Sequence, residues 1–388
     1  MSKNIARLGL GLLLLAGLAA FACDDSAKDD GDAGTDGGID CSGALAFEDP
    51  NLEQEIRDAL EYSYTEIYAA DVADLTELVA HCSNITSLEG IQCLTSLEVL
   101  DFGPPEPWPD DLVCDRNVIS DLSPLAPLPS LESLDLAGNE VSDLSPLSSV
   151  ATLNILNLSD NDEIADLAPL SSLTSLQALR LNMLYGQISD LSPLAPLTSL
   201  NELSLQGTQI SDLAPLASLI DLSHLDLIWN QIGDLAPLAS LVSLTKLYLG
   251  GNQVEDLGPL GSLTSLSELN LSGNPATDLT PLSSLNSLTS LAFNNSWEGG
   301  HINDISPLSS LLSLATLELK NNEITDLAPL VANLGINGGD WVYLSGNPID
   351  AVAQGENIQP ILDRGVCLIG EGWTAADECY PDDPGVDE

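Results

Sequence analysis

The stretch LESLDLAGNEVSDLSPLSSVAT, running from Leu131 to Thr152, decides the fold because it recurs through most of the chain. The first leucine of successive units falls at Leu75, Leu97, Leu131, Leu153, Leu176, Leu200, Leu222, Leu244, Leu266, Leu288 and Leu314, with 22 residues the commonest step. A degenerate unit spans Trp341 to Asp350. A fixed period of this length marks a stack of small units, each of which exposes its apolar face until a neighbour covers it.

Within one unit, Leu222, Leu225 and Leu227 point inward, and the alternation Leu225-Asp226-Leu227 marks a short strand with one buried face. Repetition stacks these strands in parallel. Asn230 follows where the chain must turn, and an asparagine there satisfies backbone groups that the turn leaves unpaired, as at Asn139, Asn161, Asn252, Asn274 and Asn322. Asp234-Leu235-Ala236-Pro237-Leu238 then reads as a short helical turn with Asp234 as its N-cap and proline in its first turn. Asp121, Asp143, Asp166, Asp190, Asp212, Asp256, Asp278, Asp304 and Asp326 recur at that place, a file of carboxylates stepped by about the ~4.8 Å between strands. Such a file serves capping or weak calcium binding; capping is the reading taken.

The consensus L-x-x-L-x-L-x-x-N-x-I-x-D-L-x-P-L is similar to the leucine-rich repeats of the internalin type, over roughly residues 46 to 366. The resemblance implies an α/β solenoid: a right-handed superhelix with a concave parallel sheet and short 3-10 or irregular convex turns. The segment from Phe47 to Leu52, continued through Ile85 to Ile91, resembles the helical amino-terminal cap of bacterial surface proteins built this way. Leu52, Ile56, Ala59 and Leu60 form one apolar helical stripe there.

The ends read differently. Residues 1–22 carry two basic side chains before an apolar run from Leu8 to Ala22, too short to span a bilayer and typical of a cleaved export signal. Leu18 to Cys23 resembles a bacterial lipobox, which implies lipid on Cys23 and a place in the cell envelope, anchored to a membrane and facing the periplasm or the cell surface. Ala20-Phe21-Ala22 equally suits an ordinary signal peptidase. Residues 23–40 read as a disordered acidic tether, 41–74 as the helical cap, 75–350 as the repeats and 351–388 as a carboxyl-terminal cap with an acidic tail. With Cys23 lipidated, six of the seven cysteines remain, an even set for an oxidising compartment. Cys82 and Cys114 follow neighbouring strands and are expected to pair; Cys41 with Cys93 follows by exclusion, and Cys367 with Cys379 closes the last cap.

A formal charge of −50, from 59 acidic and 9 basic residues, excludes nucleic acid and anionic head groups as partners and leaves lipid on Cys23 as the only membrane contact. The chain holds no G-x-S-x-G, H-E-x-x-H, phosphate-cradling G-x-x-x-x-G-K or C-x-x-C, so no enzyme, cofactor or metal centre is expected beyond weak calcium. His224 and Asp226 point the same way from one strand, a geometry shared by a metal-ligand pair, by a base with its orienter and by a solvated strand face; the last is the reading taken.

What remains is the outer face of the sheet, where a varied lane from Val79 to Tyr343 lies on a uniform frame. Scarce residue types gather there: Arg180, Lys246 and Lys320 among the few cations, with His224, Asp226, Tyr248, Glu318, Trp341 and Tyr343. Tyr185, Trp229 and Trp297 sit in the turns that follow strands, and the units at Leu176 and Leu288 are lengthened there. An insertion from Gly103 to Asn117, rich in proline, lies near the first rim. These residues predict a monomeric module whose concave face and rim bind a protein or a glycan; the alternative is a calcium-stabilised envelope protein with no specific ligand.

Overall fold

The computed structural model describes residues 41–61, 65–105, 116–184, 188–295, 301–350, 355–370 and 373–374. The leader, Cys23, the acidic tether, most of the proline-rich insertion with Cys114, Tyr185, Trp297, Cys379 and the acidic tail lie outside them.

Each x-Leu-x triplet forms a three-residue strand: β1 (Glu77–Val79), β2 (Val99–Asp101), β3 (Ser133–Asp135), β4 (Ile155–Asn157), β5 (Ala178–Arg180), β6 (Glu202–Ser204), β7 (His224–Asp226), β8 (Lys246–Tyr248), β9 (Glu268–Asn270), β10 (Ser290–Ala292), β11 (Thr316–Glu318) and β12 (Trp341–Tyr343). Neighbours pair in parallel with leucine opposite leucine, as in Leu203, Leu225, Leu247 and Leu269. The sheet then runs beyond the last repeat legible in the sequence. β13 (Cys367–Gly370) adds in parallel to β12, and β14 (Trp373–Thr374) turns back antiparallel. The result is one open sheet of 14 strands, the concave wall of a leucine-rich-repeat solenoid.

The inward leucines fill a continuous interior: Leu222, Leu225 and Leu227 are wholly buried, and so are their counterparts in the units on either side. Each such side chain contributes about 1.5–3 kcal/mol through removal from water. Repeats of this length leave no room for a full crossover helix, and the chain returns through short 3-10 turns such as Ser145–Ser149 and Ala236–Ser240.

Polar ladders stitch the repeats together. Asn252 Oδ1 accepts the Ile232 N–H at 3.0 Å, while its Nδ2 donates to Leu227 O at 2.8 Å and Leu249 O at 2.9 Å. Asn139, Asn161, Asn230, Asn274 and Asn322 repeat the arrangement and are buried. On the convex side the serines that close the 3-10 turns reach back one repeat, Ser240 Oγ to Ala217 O at 3.1 Å and Ser262 Oγ to Ala239 O at 2.8 Å. This second ladder explains the abundance of serine.

The file of aspartates serves the turns, displaced by one position from the register expected. Asp234 Oδ1 accepts the Ala236 N–H at 2.8 Å, and Leu235 between them is the N-cap residue, so the carboxylate makes its bond from outside the cap. Hydrogen bonds from Ser145, Ser192 and Thr280 draw the carboxyl pKa values of Asp143, Asp190 and Asp278 below the usual range.

Both ends are covered. In α1 (Pro50–Ala59) only Leu52 and Ile56 are buried; Ala59, assigned to the same stripe above, is exposed, because two turns suffice to cover the first repeat. Asp49 caps this helix through the Asn51 N–H at 2.8 Å and binds the Thr86 N–H at 2.6 Å with its other oxygen, tying helix to solenoid. Cys41 is joined to Cys93 as expected. Cys82 and Cys367 are each disulfide-bonded; Cys114 and Cys379, expected opposite them, lie outside the described residues. At the far end, α3 (Gly355–Leu362) packs on α2 (Ala328–Ala332), and Arg364 donates to Leu330 O at 2.9 Å and Asn333 O at 2.7 Å.

Truncating Leu247 to Ala is expected to lower unfolding free energy in urea by about 2–5 kcal/mol. Asn252→Ala, which leaves an N–H and two carbonyls unmatched, should cost about 1–3 kcal/mol for each group that water does not reach. Val242→Ala, at a half-exposed position, should fall within about 0.5 kcal/mol of wild type.

Candidate recognition surface

With every second strand residue fixed inward, the first and third residues of each triplet stand on the outer face in two lanes. Register places Glu202, His224, Lys246 and Glu268 side by side in one lane, and Arg180, Ser204, Asp226, Tyr248 and Asn270 in the other. The middle of the sheet therefore carries a bonded polar-aromatic cluster. Arg180 pairs with Glu202 at 2.9 Å, and Lys246 with Glu268 at 2.8 Å. The Tyr248 hydroxyl donates to Glu268 at 2.5 Å, and the His224 ring meets the Tyr248 ring edge-on, centroids 5.4 Å apart.

Titration behaviour follows from these contacts. Burial, together with the bond to Glu268, pushes the Tyr248 phenol well above its ordinary range. Glu268 is held low by Lys246 and by the same tyrosine. Asp226 moves the other way: partial burial raises its pKa, and the Ile228 N–H at 3.0 Å and the nearby His224 offset this only in part.

A second cluster lies toward the carboxyl-terminal end. Trp341 and Tyr343 stack at 12° with centroids 6.0 Å apart, Lys320 Nζ sits 4.6 Å over the Tyr343 ring, and Glu318 accepts from Asn294 at 2.6 Å. The sequence-predicted residues thus divide into two groups, one around β5–β9 and one around β11–β12. Among the described residues no three His, Cys, Asp or Glu side chains are placed to hold one ion.

Trp229 follows β7 in the turn and is 60% exposed. Its φ of 56° lies in the left-handed region, shared at the matching position by Gly138, Gly207, Gly251 and Gly273 and also by Cys82, Asp160, Met183 and Asn321. The indole lies over Gly251, where a Cβ would come within 2.5 Å of its Cδ1. Glu202 and Glu268, the acidic halves of the ion pairs, were missed by the sequence reading. Their signal was present in the spacing, since each lies one 22-residue step after its cation, Arg180 or Lys246.

An open sheet with a uniform leucine interior and a varied polar-aromatic outer face defines a leucine-rich-repeat protein. A family model described as leucine-rich repeats in two copies matches residues 242–284. No curated protein sequence matches the chain. Among solved structures, the internalin InlF of Listeria monocytogenes is 31% identical with a TM-score of 0.73, over 83% of this chain and 88% of that one. The chain belongs to the internalin-like leucine-rich-repeat family. The functional domain of InlJ from the same organism is 24% identical (TM-score 0.56, 79% of this chain and 73% of that one). A plant peptide hormone receptor, RGFR1, solved in complex with RGF2, is 18% identical (TM-score 0.55, 74% of this chain and 46% of that one). These last two share the fold.

The raised pKa of Asp226 yields a pH test. Its folded value lies above the unfolded one, so ionisation costs more in the folded state, and that cost is absent below an unfolded pKa of about 3.9. Asp226→Asn keeps the acceptor for Ile228; it should raise the melting temperature at neutral pH and leave it unchanged near pH 3, as followed by circular dichroism.

Proposed function

We propose that the protein is a non-enzymatic recognition module of the bacterial cell envelope, binding a protein partner on the concave face of its sheet. The observation that carries this reading is the central cluster of Arg180, Glu202, His224, Asp226, Lys246, Tyr248 and Glu268, where scarce cations and aromatic rings meet on one solvent-facing wall. Aromatic and charged residues grouped at the middle of an open face are what interface anchors look like. Trp229 in the turn after β7 and the Trp341–Tyr343 stack extend the surface. A peptide hormone receptor of the same fold, solved in complex with RGF2, supports a protein rather than a glycan as ligand. A calcium-bridged spacer is the weaker reading, since the aspartate file is already engaged with backbone N–H groups of its own turns.

Photo-crosslinking on intact cells tests this. A partner captured by wild type should be lost on Tyr248→Ala and on Trp229→Ala with melting temperatures preserved; retention of the partner by both variants overturns the reading. Under the spacer alternative, chelator lowers the melting midpoint and neither substitution changes any contact.

The signal and lipobox-like segments support export and anchorage through Cys23. Cys23→Ser should abolish incorporation of labelled palmitate and move the protein from the membrane fraction to the soluble one. Labelling that persists in the variant sinks the anchor.

A further inference from the structure

The sheet face neutralises its own cations and leaves a central carboxylate unmatched. Arg180 is committed to Glu202 and Lys246 to Glu268. Asp226 stands between these pairs, in register with Ser204 on one side and Tyr248 on the other. One of its oxygens takes the Ile228 N–H; the other accepts no hydrogen bond, and no lysine or arginine pairs with it, among the described residues. Asp226 is half-buried and its second oxygen stays open to the solvent side of the sheet, so it can accept a charge-assisted hydrogen bond from a cation outside the molecule.

Its surroundings select the kind of cation. Tyr248 is adjacent in register, and Trp229 follows three residues later with its indole largely in solvent. A guanidinium offers two parallel donors to a carboxylate and a flat face to aromatic rings, whereas an ammonium offers a point charge. The formal charge of −50 draws basic segments toward the molecule and repels acidic ones.

We propose that the centre of the sheet face is the docking point for a basic segment of a partner protein, one arginine of which seats against Asp226 between Ser204 and Tyr248. This rests on the recognition reading above and names the chemistry of its partner. Burial raises the Asp226 pKa, with the Ile228 N–H and His224 offsetting this only in part, so a further cation beside it would be favourable. An arginine seated there gains a charge partner without disturbing either existing ion pair.

The test titrates the full chain by calorimetry at physiological salt with the heptapeptide Gly-Arg-Gly-Arg-Gly-Arg-Gly, and with the same peptide carrying neutral citrulline in place of arginine. The arginine peptide should bind, and citrulline or Asp226→Asn should each weaken binding by about tenfold or more, the scale for loss of one partner of a charge-assisted bond. Glu255→Gln, which removes an exposed carboxylate away from the strands, should change it by less than about twofold. Equal weakening by Asp226→Asn and Glu255→Gln shows attraction by net charge alone and overturns the proposal, as does no binding of the arginine peptide. Binding lost on Tyr248→Ala but unaffected by Asp226→Asn also overturns the arginine seat, yet leaves the recognition surface standing. If, in addition, the cell-surface partner survives both aromatic substitutions, the recognition reading falls with it.

Discussion

The structure depends on one constraint: no repeat can bury its own leucines. A unit of this length supplies a short strand, a 3-10 turn and an apolar edge, and each edge is covered only by the next unit. The same dependence governs the polar groups. Asn252 bonds to Ile232 and Leu227 in the repeat before it, so an asparagine is satisfied only when two units stand in register. Leucine stacking supplies the driving force, and the asparagine ladder sets the register, because a slip would strand buried N–H and C=O groups.

Once the frame is satisfied from within, the outer lanes are free to vary in residue type, although Asp135, Asp226 and Asn270 still accept the N–H two residues on. Leu225 and Leu247 face inward and could not be exchanged for polar residues, whereas His224, Asp226, Lys246 and Tyr248 beside them point to solvent. The lanes therefore record a different requirement. Cations are scarce in this chain, and two of them meet acidic neighbours across adjacent strands in the middle of the face. Such pairs contribute little to stability at partly exposed sites, so their value lies in fixing long side chains in defined positions.

Most of the fold was legible in the sequence, because the 22-residue period and the x-Leu-x alternation report the same interior face that the structure buries. Every leucine chosen to begin a unit precedes a strand of the sheet. β13 was not legible: Cys367-Leu368-Ile369-Gly370 lacks the repeat consensus, and only the unpaired edge of β12 demands it. The aspartate register differed by one position because a carboxylate reaches the first helical N–H from either side of the cap, a choice that composition does not distinguish. The face was legible residue by residue, since lane membership follows from strand parity. How the residues bond was not, for diagonal reach across strands, as from Arg180 to Glu202, depends on the longer unit that begins at Leu176.

Two costs at the centre of the face run against this otherwise satisfied frame. Trp229 holds a left-handed backbone that four other repeats give to glycine and others to Cys82, Asp160, Met183 or Asn321, a conformation costing a bulky residue about 1–3 kcal/mol. Asp226 holds a carboxylate away from full hydration with one oxygen unmatched. Gly251 fills the Trp229 turn one repeat later, and Asn270 accepts the Ser272 N–H as Asp226 accepts that of Ile228, so the turn needs the acceptor but neither the indole nor the charge. Both positions cost the fold something that a glycine or an asparagine would not, and under the recognition function proposed here an external contact is what offsets that cost.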